Sequence, residues 1–385
     1  MKRICILVVI LCVCFVSAAW AQQPAAKGQN NWNEFHRTNM ARWNPYEHVL
    51  NVNNVGSLQV KWSYTGGNGS AAVANGVVYV GDYPNGTVDA LNASTGTLLW
   101  SYQTGGGIVS SPAVADGVVY IGSRDDNVYA LNASTGALLW TYTTGRGYVD
   151  SSPAVVNGIV YVGSDDRNLY ALNASTGALL WSYATGGHIQ SSPAVKGGVV
   201  YVGSDDRYLY ALNASTGTLL WRHDVGPQSN GYLAPSPAVA NGVVYVGSQN
   251  DKVYALKAKT GKKLWIYATG GGVVSSPAVA NGVVYITSAD NNVYALNANT
   301  GALLWNYNIS AGSPQFSSPA VANGVVYVGS EGGLYAYALN ASTGALLWSQ
   351  AGLGGNQSPA VANGVVYFCG DDGEVYALGL KKGRK

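Results

Sequence analysis

The apolar positions of this chain come in short runs rich in Val and Tyr, each bounded by Gly, Asn, Asp or Ser. Such runs read as β-strands joined by tight turns. They also recur. The phrase A-L-N-A-S-T-G-A-L-L-W, from Ala130 to Trp140, returns with small changes along most of the chain. Its tryptophan stands at Trp62, Trp100, Trp140, Trp181, Trp221, Trp265, Trp305 and Trp348, at spacings of 38 to 44 residues. A second phrase, S-P-A-V-A-N-G-V-V-Y-V-G-S at Ser236 to Ser248, precedes most of these tryptophans in similar form. A period near forty residues marks a chain built from one supersecondary unit used many times.

In the copy from Ser192 to Trp221 the pattern predicts four strands, Pro193 to Val195, Val199 to Gly203, Leu209 to Leu212 and Leu219 to Arg222. Asn-Gly pairs such as Asn157-Gly158 and Asn241-Gly242 supply the positive backbone angles of a two-residue hairpin between the first two strands. Asn-Ala-Ser-Thr-Gly closes the hairpin between the last two. Proline has no N–H to give to a ladder, so the first strand belongs at a sheet edge. The second strand, V-V-Y-V-G, is apolar at successive positions and belongs under cover on both faces. Small sheets of this kind stacked around an axis make a β-propeller. The prediction is an all-β fold, an eight-bladed propeller of four-stranded antiparallel blades over residues 58–380. The last copy, Ser358 to Leu380, stops before its fourth strand, whereas Leu58 to Tyr64 is a fourth strand without partners. The N-terminal strand is therefore expected to close the ring.

The tryptophans are assigned a mechanical role, docking each blade on its neighbour. A buried indole removes roughly 150–250 Å² from water, an upper bound on the order of 4–6 kcal/mol at ~25 cal/mol/Å². The glycine four residues ahead of each one but Trp62 is placed in a left-handed turn.

The motif A-x-N-x-x-T-G-x-x-x-W resembles the repeat of the pyrroloquinoline-quinone (PQQ) propellers, a family spanning quinoprotein alcohol dehydrogenases and the non-enzymatic outer-membrane assembly lipoprotein BamB. The likeness runs from about Leu58 to Leu380. The family usually has Asp at the third motif position, where this chain has Asn92, Asn132, Asn173, Asn213, Asn297 and Asn340; one copy departs further, with Lys257, Lys259, Lys262 and Lys263 around Gly261. For the enzymes, the resemblance implies PQQ and a calcium ion at the centre of one face, usually with an adjacent Cys-Cys pair over the cofactor.

Ahead of the repeats, Met1 to Ala21 has a basic start at Lys2 and Arg3, an apolar stretch from Ile4 to Val16 and an Ala19-Trp20-Ala21 cleavage site, the plan of a secretory signal. The stretch is short for a membrane span, and neither Leu11-Cys12 nor Val13-Cys14 offers the small residue that a lipoprotein signal sets before its cysteine. The expected product begins at Gln22 and is exported, periplasmic or extracellular, not a lipoprotein and without a transmembrane span. Cys5, Cys12 and Cys14 leave with the signal, so the mature chain keeps only Cys369, read as a buried inert thiol, and forms no internal disulfide. Residues 22–57, an Asn-rich leader, are expected to pack along the outside of the ring; Glu34, His36, Glu47 and His48 in it show no metal-ligand spacing. Residues 381–385 form a basic tail. Loss of Lys2 and Arg3 brings 21 basic and 19 acidic residues to parity, which gives no argument for nucleic acid.

Chemistry belongs where the repeats vary. Turns between second and third strands, and linkers between blades, emerge on one face of a propeller. Acidic residues outnumber basic ones there, fourteen to five, with Asp125, Asp126, Asp165, Asp166, Asp205 and Asp206 among them. An acidic ring is expected, although Asp suits such turns by capping local amides without any ligand. Linkers at Gly105 to Val109 and Gly270 to Val274 hold only glycine and aliphatic residues. Three consecutive linkers instead carry Arg146, Tyr148 and Asp150, then His188 and Gln190, then Tyr232; neighbouring turns add Arg167, Arg207 and Tyr208. Arg and aromatic side chains on loops of a rigid scaffold dominate binding hot spots, so these residues form the candidate partner site. No catalytic triad, paired catalytic carboxylates, phosphate loop or haem-attachment C-x-x-C-H stands out. Three readings follow: a monomeric scaffold that binds another protein of the cell envelope, a PQQ- and calcium-dependent dehydrogenase relative, and a carbohydrate-binding or adhesive propeller. The second is opposed by the single mature cysteine and by stretches of only 11 to 16 residues from docking Trp to the next Ser-Pro proline, too short for a lid. The scaffold, without catalytic residues, cofactor or metal, is preferred.

Overall fold

The computed structural model describes residues 30–381 except 38–39, 68, 227–234, 310–311, 315 and 332–334. The signal region 1–21, the first part of the leader, Tyr232 and the tail beyond Lys381 lie outside the described residues.

Eight blades of four antiparallel strands follow one another in chain order around a ring, numbered here from residue 72, and the short leader strand Trp43–Asn44 adds in parallel to the inner strand Ala320–Ala322 of blade 7. In blade 4 the strands are Ala194–Lys196, Val199–Gly203, Tyr208–Asn213 and Leu219–Asp224, running from the axis outward. The Asn-Gly turns take the required left-handed angles, φ 52° at Asn157 and 73° at Gly158 in blade 3. Blade 8 joins Ala360–Ala362, Val365–Cys369 and Glu374–Leu380 to Leu58–Thr65, with Trp62 opposite Ala377. Hydrogen bonds between the two ends of the propeller thus close it. Among the described residues no helix is long and apolar enough to cross a membrane.

Each joint between blades is built from the two repeated phrases together. In blade 1 the Trp100 Nε1–H and the Tyr79 hydroxyl both donate to the Ala133 carbonyl of blade 2, at 2.9 and 3.1 Å, with the two rings 5.9 Å apart. The indole lies on Gly136, whose φ is 72° and where a Cβ would come within 2.6 Å of the ring. The same arrangement joins blades 2 to 7, for instance Tyr120 and Trp140 on Ala174 and Tyr285 and Trp305 on Ala341. A bulge in the outer strand makes the indole turn inward: Leu138 pairs Leu131 and Trp140 pairs Ala130, so Leu139 is skipped and both leucines stay exposed on the rim. At the last joint blade 8 has no third-to-fourth-strand hairpin. Trp348 packs instead on the cluster holding Val55 and Leu58, and the buried Tyr327 hydroxyl is left without a partner.

Asn replaces Asp in the turn motif without loss because the position needs only an acceptor. Asn132 Oδ1 accepts from the N–H of Ser134 and Thr135 at 2.9 and 3.0 Å, an Asx turn that any carbonyl or carboxylate oxygen can make. In blade 5 Lys257 has no such oxygen, and the turn there loses the Asx bonds but keeps Thr260 and Gly261 N–H to the Lys257 carbonyl and Lys262 N–H to Thr260 Oγ1.

The leader does not pack outside the ring; it runs inside it. The inner strand of each blade is a free sheet edge whose N–H groups point into the axial channel, where an unpaired buried donor costs about 1–3 kcal/mol. The leader meets them in turn. Val73 N–H donates to the Trp32 carbonyl, Val114 to Asn33, Val155 to the Glu34 side chain, Val239 to Met40, Val279 to Ala41 and Val321 to Arg42. His36 reaches Ser192 in blade 4, and Asn44 Nδ2 donates to Val361 O in blade 8. Between Trp32 and Asn44 the leader therefore touches all eight blades in order. The chain then leaves over the hairpins of blades 7 and 8, where Asn323 donates to Leu50 O and Gly364 to Glu47 Oε2.

Candidate functional site

The face carrying the linkers has an axial cup of about 270 Å³. Its wall is one serine per blade, the second of the S-S-P phrase in five blades and Ser70, Ser236 and Ser358 at the equivalent place in the others. Ser111 N–H donates to Ser152 Oγ at 2.9 Å, Ser152 to Ser192, Ser192 to Ser236, Ser236 to Ser276, Ser276 to Ser318, Ser318 to Ser358, and Ser358 to Ser70. One hydroxyl per blade thus forms a belt around the axis. The first serine of the phrase plays a different part, because Ser151 Oγ accepts from Gly163 N–H in its own blade and donates to Ser191 O in the next. The recurrence of the second serine in every copy, and of the first in five, is visible in the sequence, but a belt exists only once the ring is closed.

Phe35 of the leader forms the floor of the cup. Beneath it lies Arg42, its guanidinium carbon 4.6 Å from the Phe35 ring centre. Arg42 is fully buried and donates to four carbonyls, those of Phe35, Ser318, Pro319 and Pro359. Burial lowers its pKa to about 9. Two more ionisable groups are sealed beside it. Burial raises Glu34 to about 7, and burial together with the Arg42 charge lowers His36 to about 3.

On one side of the cup, blades 1 to 4 bring together most of the variable linker residues. Arg124 clamps Asp150 with two bonds, Nε to Oδ1 at 2.9 Å and Nη2 to Oδ2 at 2.8 Å. Its guanidinium lies between two aromatic rings, 4.8 Å from the Tyr83 centre and 5.3 Å from that of Tyr148. Both tyrosines are exposed, 41% and 49%. The Asp150 bond is the main cause holding the Arg124 pKa above its usual value. Next in the ring, Gln190 Nε2 donates to Asp165 Oδ2 at 3.2 Å, and His188 Nδ1 stands 3.9 Å from Asp165 Oδ1. Burial raises the carboxyls of Asp165 and Asp205, the latter to about 6.

The linker residues do not all belong to this patch. Asp150 is buried, serving Arg124 from beneath rather than facing a partner. Arg207 pairs with the exposed Asp224, and Tyr208 is covered by Arg222, 4.5 Å from its ring centre, so these two lie toward the outer strand of blade 4. Arg146 and Arg167 are exposed. Arg124 and Tyr83, which complete the stack, are not singled out by the sequence pattern; the available signal is that they stand where the neighbouring turns have Asp165 and Asp205.

The acidic ring is largely internal capping. Asp125 Oδ2 accepts from Gly105 N–H and the Tyr129 hydroxyl, both at 2.6 Å, and Asp166, Asp206 and Asp290 repeat the pair of bonds in their blades. Cys369 is buried in blade 8, away from the cup, and burial pushes its thiol up to about 12. Among the described residues no group of three or more His, Cys, Asp or Glu side chains could hold a metal ion. Asp150, the only carboxylate among the described residues lining the cup, is occupied on both oxygens by Arg124. These residues do not fit a calcium-bound quinone.

The family model described as outer membrane protein assembly factor BamB matches residues 25–152, 146–239, 209–336 and 309–385. The chain belongs to this family. Its successive matches overlap because the repeat aligns with itself in several registers. No curated protein matches the chain. Among solved structures, BamB from Moraxella catarrhalis is similar at 22% identity and a TM-score of 0.72, over 84% of this chain and 100% of that one. Europium-containing methanol dehydrogenase is similar at 15% identity and a TM-score of 0.79, over 91% and 98%. The quinohemoprotein alcohol dehydrogenase ADHIIG from Pseudomonas putida HK5 follows at 18% and 0.78, over 92% and 81%. At these identities the likeness establishes the shared ring.

Proposed function

We propose that this BamB-family propeller is a non-catalytic, exported scaffold that binds another protein of the cell envelope through the linker face of blades 1 to 4. The observation that carries this reading is the Tyr83–Arg124–Tyr148 stack fixed by the buried Asp150. An Arg sandwiched between exposed aromatics and locked by a bidentate carboxylate has already lost most of its side-chain freedom. It can therefore contribute to an interface at small entropic cost, and Arg and Tyr are the types enriched among hot spots. Family membership supports protein binding, and the N-terminal signal pattern supports export.

The test has two parts. Intact mass of the exported chain should correspond to a start at Gln22; retention of residues 1–21, or a lipidated cysteine, would defeat the export part. For binding, envelope proteins cross-linked to the wild-type chain should be lost with the Tyr83→Ala/Tyr148→Ala variant at unchanged melting temperature. Cross-links that persist in that variant would place the interface elsewhere.

A further inference from the structure

We propose that the axial cup is a binding site for a small neutral polyhydroxylated molecule of monosaccharide size, independent of the protein-binding patch beside it. The belt serines are 3–6% exposed, so their polar groups are almost wholly withdrawn from bulk water. In seven of them the Oγ accepts a backbone N–H from the preceding blade, and no bond donated by a belt hydroxyl is formed among the described residues. These hydrogens are donors in search of an acceptor, and the cup is the space they border. Buried polar groups in folded proteins are nearly always paired, with protein, water or ligand.

The cup also presents acceptors. Asn356, whose Oδ1 has no partner, borders the wall together with Gln190 and Gln357. Donors and acceptors interleaved around one cavity match a ligand whose own groups are both, namely hydroxyls. An anion would use the donors and leave the amide oxygens unmet. Charge points the same way, because Asp150 is neutralised by Arg124. The floor suits a sugar ring as well: Phe35, backed by Arg42, offers a fixed apolar surface below the polar wall. At about 270 Å³ the cup holds one such unit, just under the roughly 300–1,000 Å³ of pockets for drug-sized ligands.

The experiment titrates the unmodified chain with methyl glucoside, methyl galactoside, methyl mannoside and myo-inositol, following the methyl NMR signals of Val109 and Val274, which border the cup. Citrate is the charged comparison. At least one neutral polyol should shift both methyls saturably, with a Kd on the order of 1 mM, as expected for so small a ligand. The Asn356→Leu/Gln357→Leu variant, altered in the linker between blades 7 and 8 and outside the Tyr83–Arg124–Tyr148 stack, should weaken that binding at least about tenfold while envelope cross-linking is unchanged. No shift from any polyol at ~50-fold the expected Kd, or shifts from citrate alone, would overturn the proposal. So would full affinity in the double variant. If that variant does not fold, the unmodified chain still decides, since the Val109 and Val274 shifts are read on it.

Discussion

Glu34 and His36 sit two residues apart in the leader, sealed in the channel with their pKa values moved in opposite directions, to about 7 and about 3. The folded Glu34 keeps its proton where the unfolded one has lost it, so its contribution to stability declines as pH rises from 4.5 to about 7. The folded His36 refuses a proton that the unfolded one accepts, so its contribution declines as pH falls from 6.5 to about 3. The slopes cancel between 4.5 and 6.5, and stability should be flat there and fall on both sides. Glu34→Gln removes the alkaline decline and should raise stability at pH 8 by about 3–3.5 kcal/mol, taking ~1.4 kcal/mol per pKa unit. Denaturant unfolding at pH 5 and pH 8 checks this; a variant no more stable than the parent at pH 8 would contradict it. Arg167 shows a different residue-scale effect. Its φ of 75° is the left-handed angle that Asp126 and Asn291 adopt in the matching turns. Arg gains nothing from that conformation, so Arg167→Gly should stabilise by about 0.5–1 kcal/mol.

At the scale of the element, the repeat contains two kinds of glycine that look alike in sequence. Gly117 and Gly136 both have positive φ, 78° and 72°, but a Cβ on the first meets nothing within 4 Å whereas on the second it meets the Trp100 ring at 2.6 Å. Gly117→Ala should cost about 1 kcal/mol, the conformational penalty alone. Gly136→Ala must also push an indole out of its seat and should cost about 3 kcal/mol or more. Chemical denaturation of the pair separates backbone strain from packing. The tryptophans divide similarly. Trp140→Ala removes a buried indole and its bond to Ala174 and should cost about 3–5 kcal/mol. Trp348 is half-buried and its Nε1 has no bond to a following hairpin among the described residues, so Trp348→Ala should cost markedly less, about 1–2 kcal/mol. Equal losses at the two positions would mean that the last joint is as tight as the others.

For the whole molecule, two segments from the N-terminal side hold the ring together in different ways. Leu58–Thr65 completes blade 8, and the leader between Trp32 and Asn44 bonds to all eight blades, accepting inner-strand N–H groups in six of them. A chain beginning at Val52 keeps the first and loses the second. It should still form the blades, because each has its own hairpins, but with exposed inner edges and an open channel. Such edges template association with other chains. Light scattering should report oligomers, and amide exchange of Val73, Val239 and Val279 should accelerate by orders of magnitude. A monomer with those amides still protected would show that the leader is dispensable.

Almost all of the ring could be read in the sequence. Strand order, the hairpin turns and the count of eight follow from local chemistry: Asn-Gly angles, apolar runs and a fixed period, each of which acts within a few residues. The closure was legible too, since a lone L-Q-V-K-W-S-Y strand and an incomplete last copy have only one way to satisfy each other. What the local pattern could not decide was anything that depends on the axis. The polar and charged residues of the leader look solvated and predict a place outside the ring; it lies inside because eight unpaired strand edges meet there and need acceptors. Tyr83 and Arg124 are separated by a full repeat in the chain, and the belt serines by about forty residues each. Their contacts arise only when the closed ring brings equivalent positions to one radius, which no window of sequence contains.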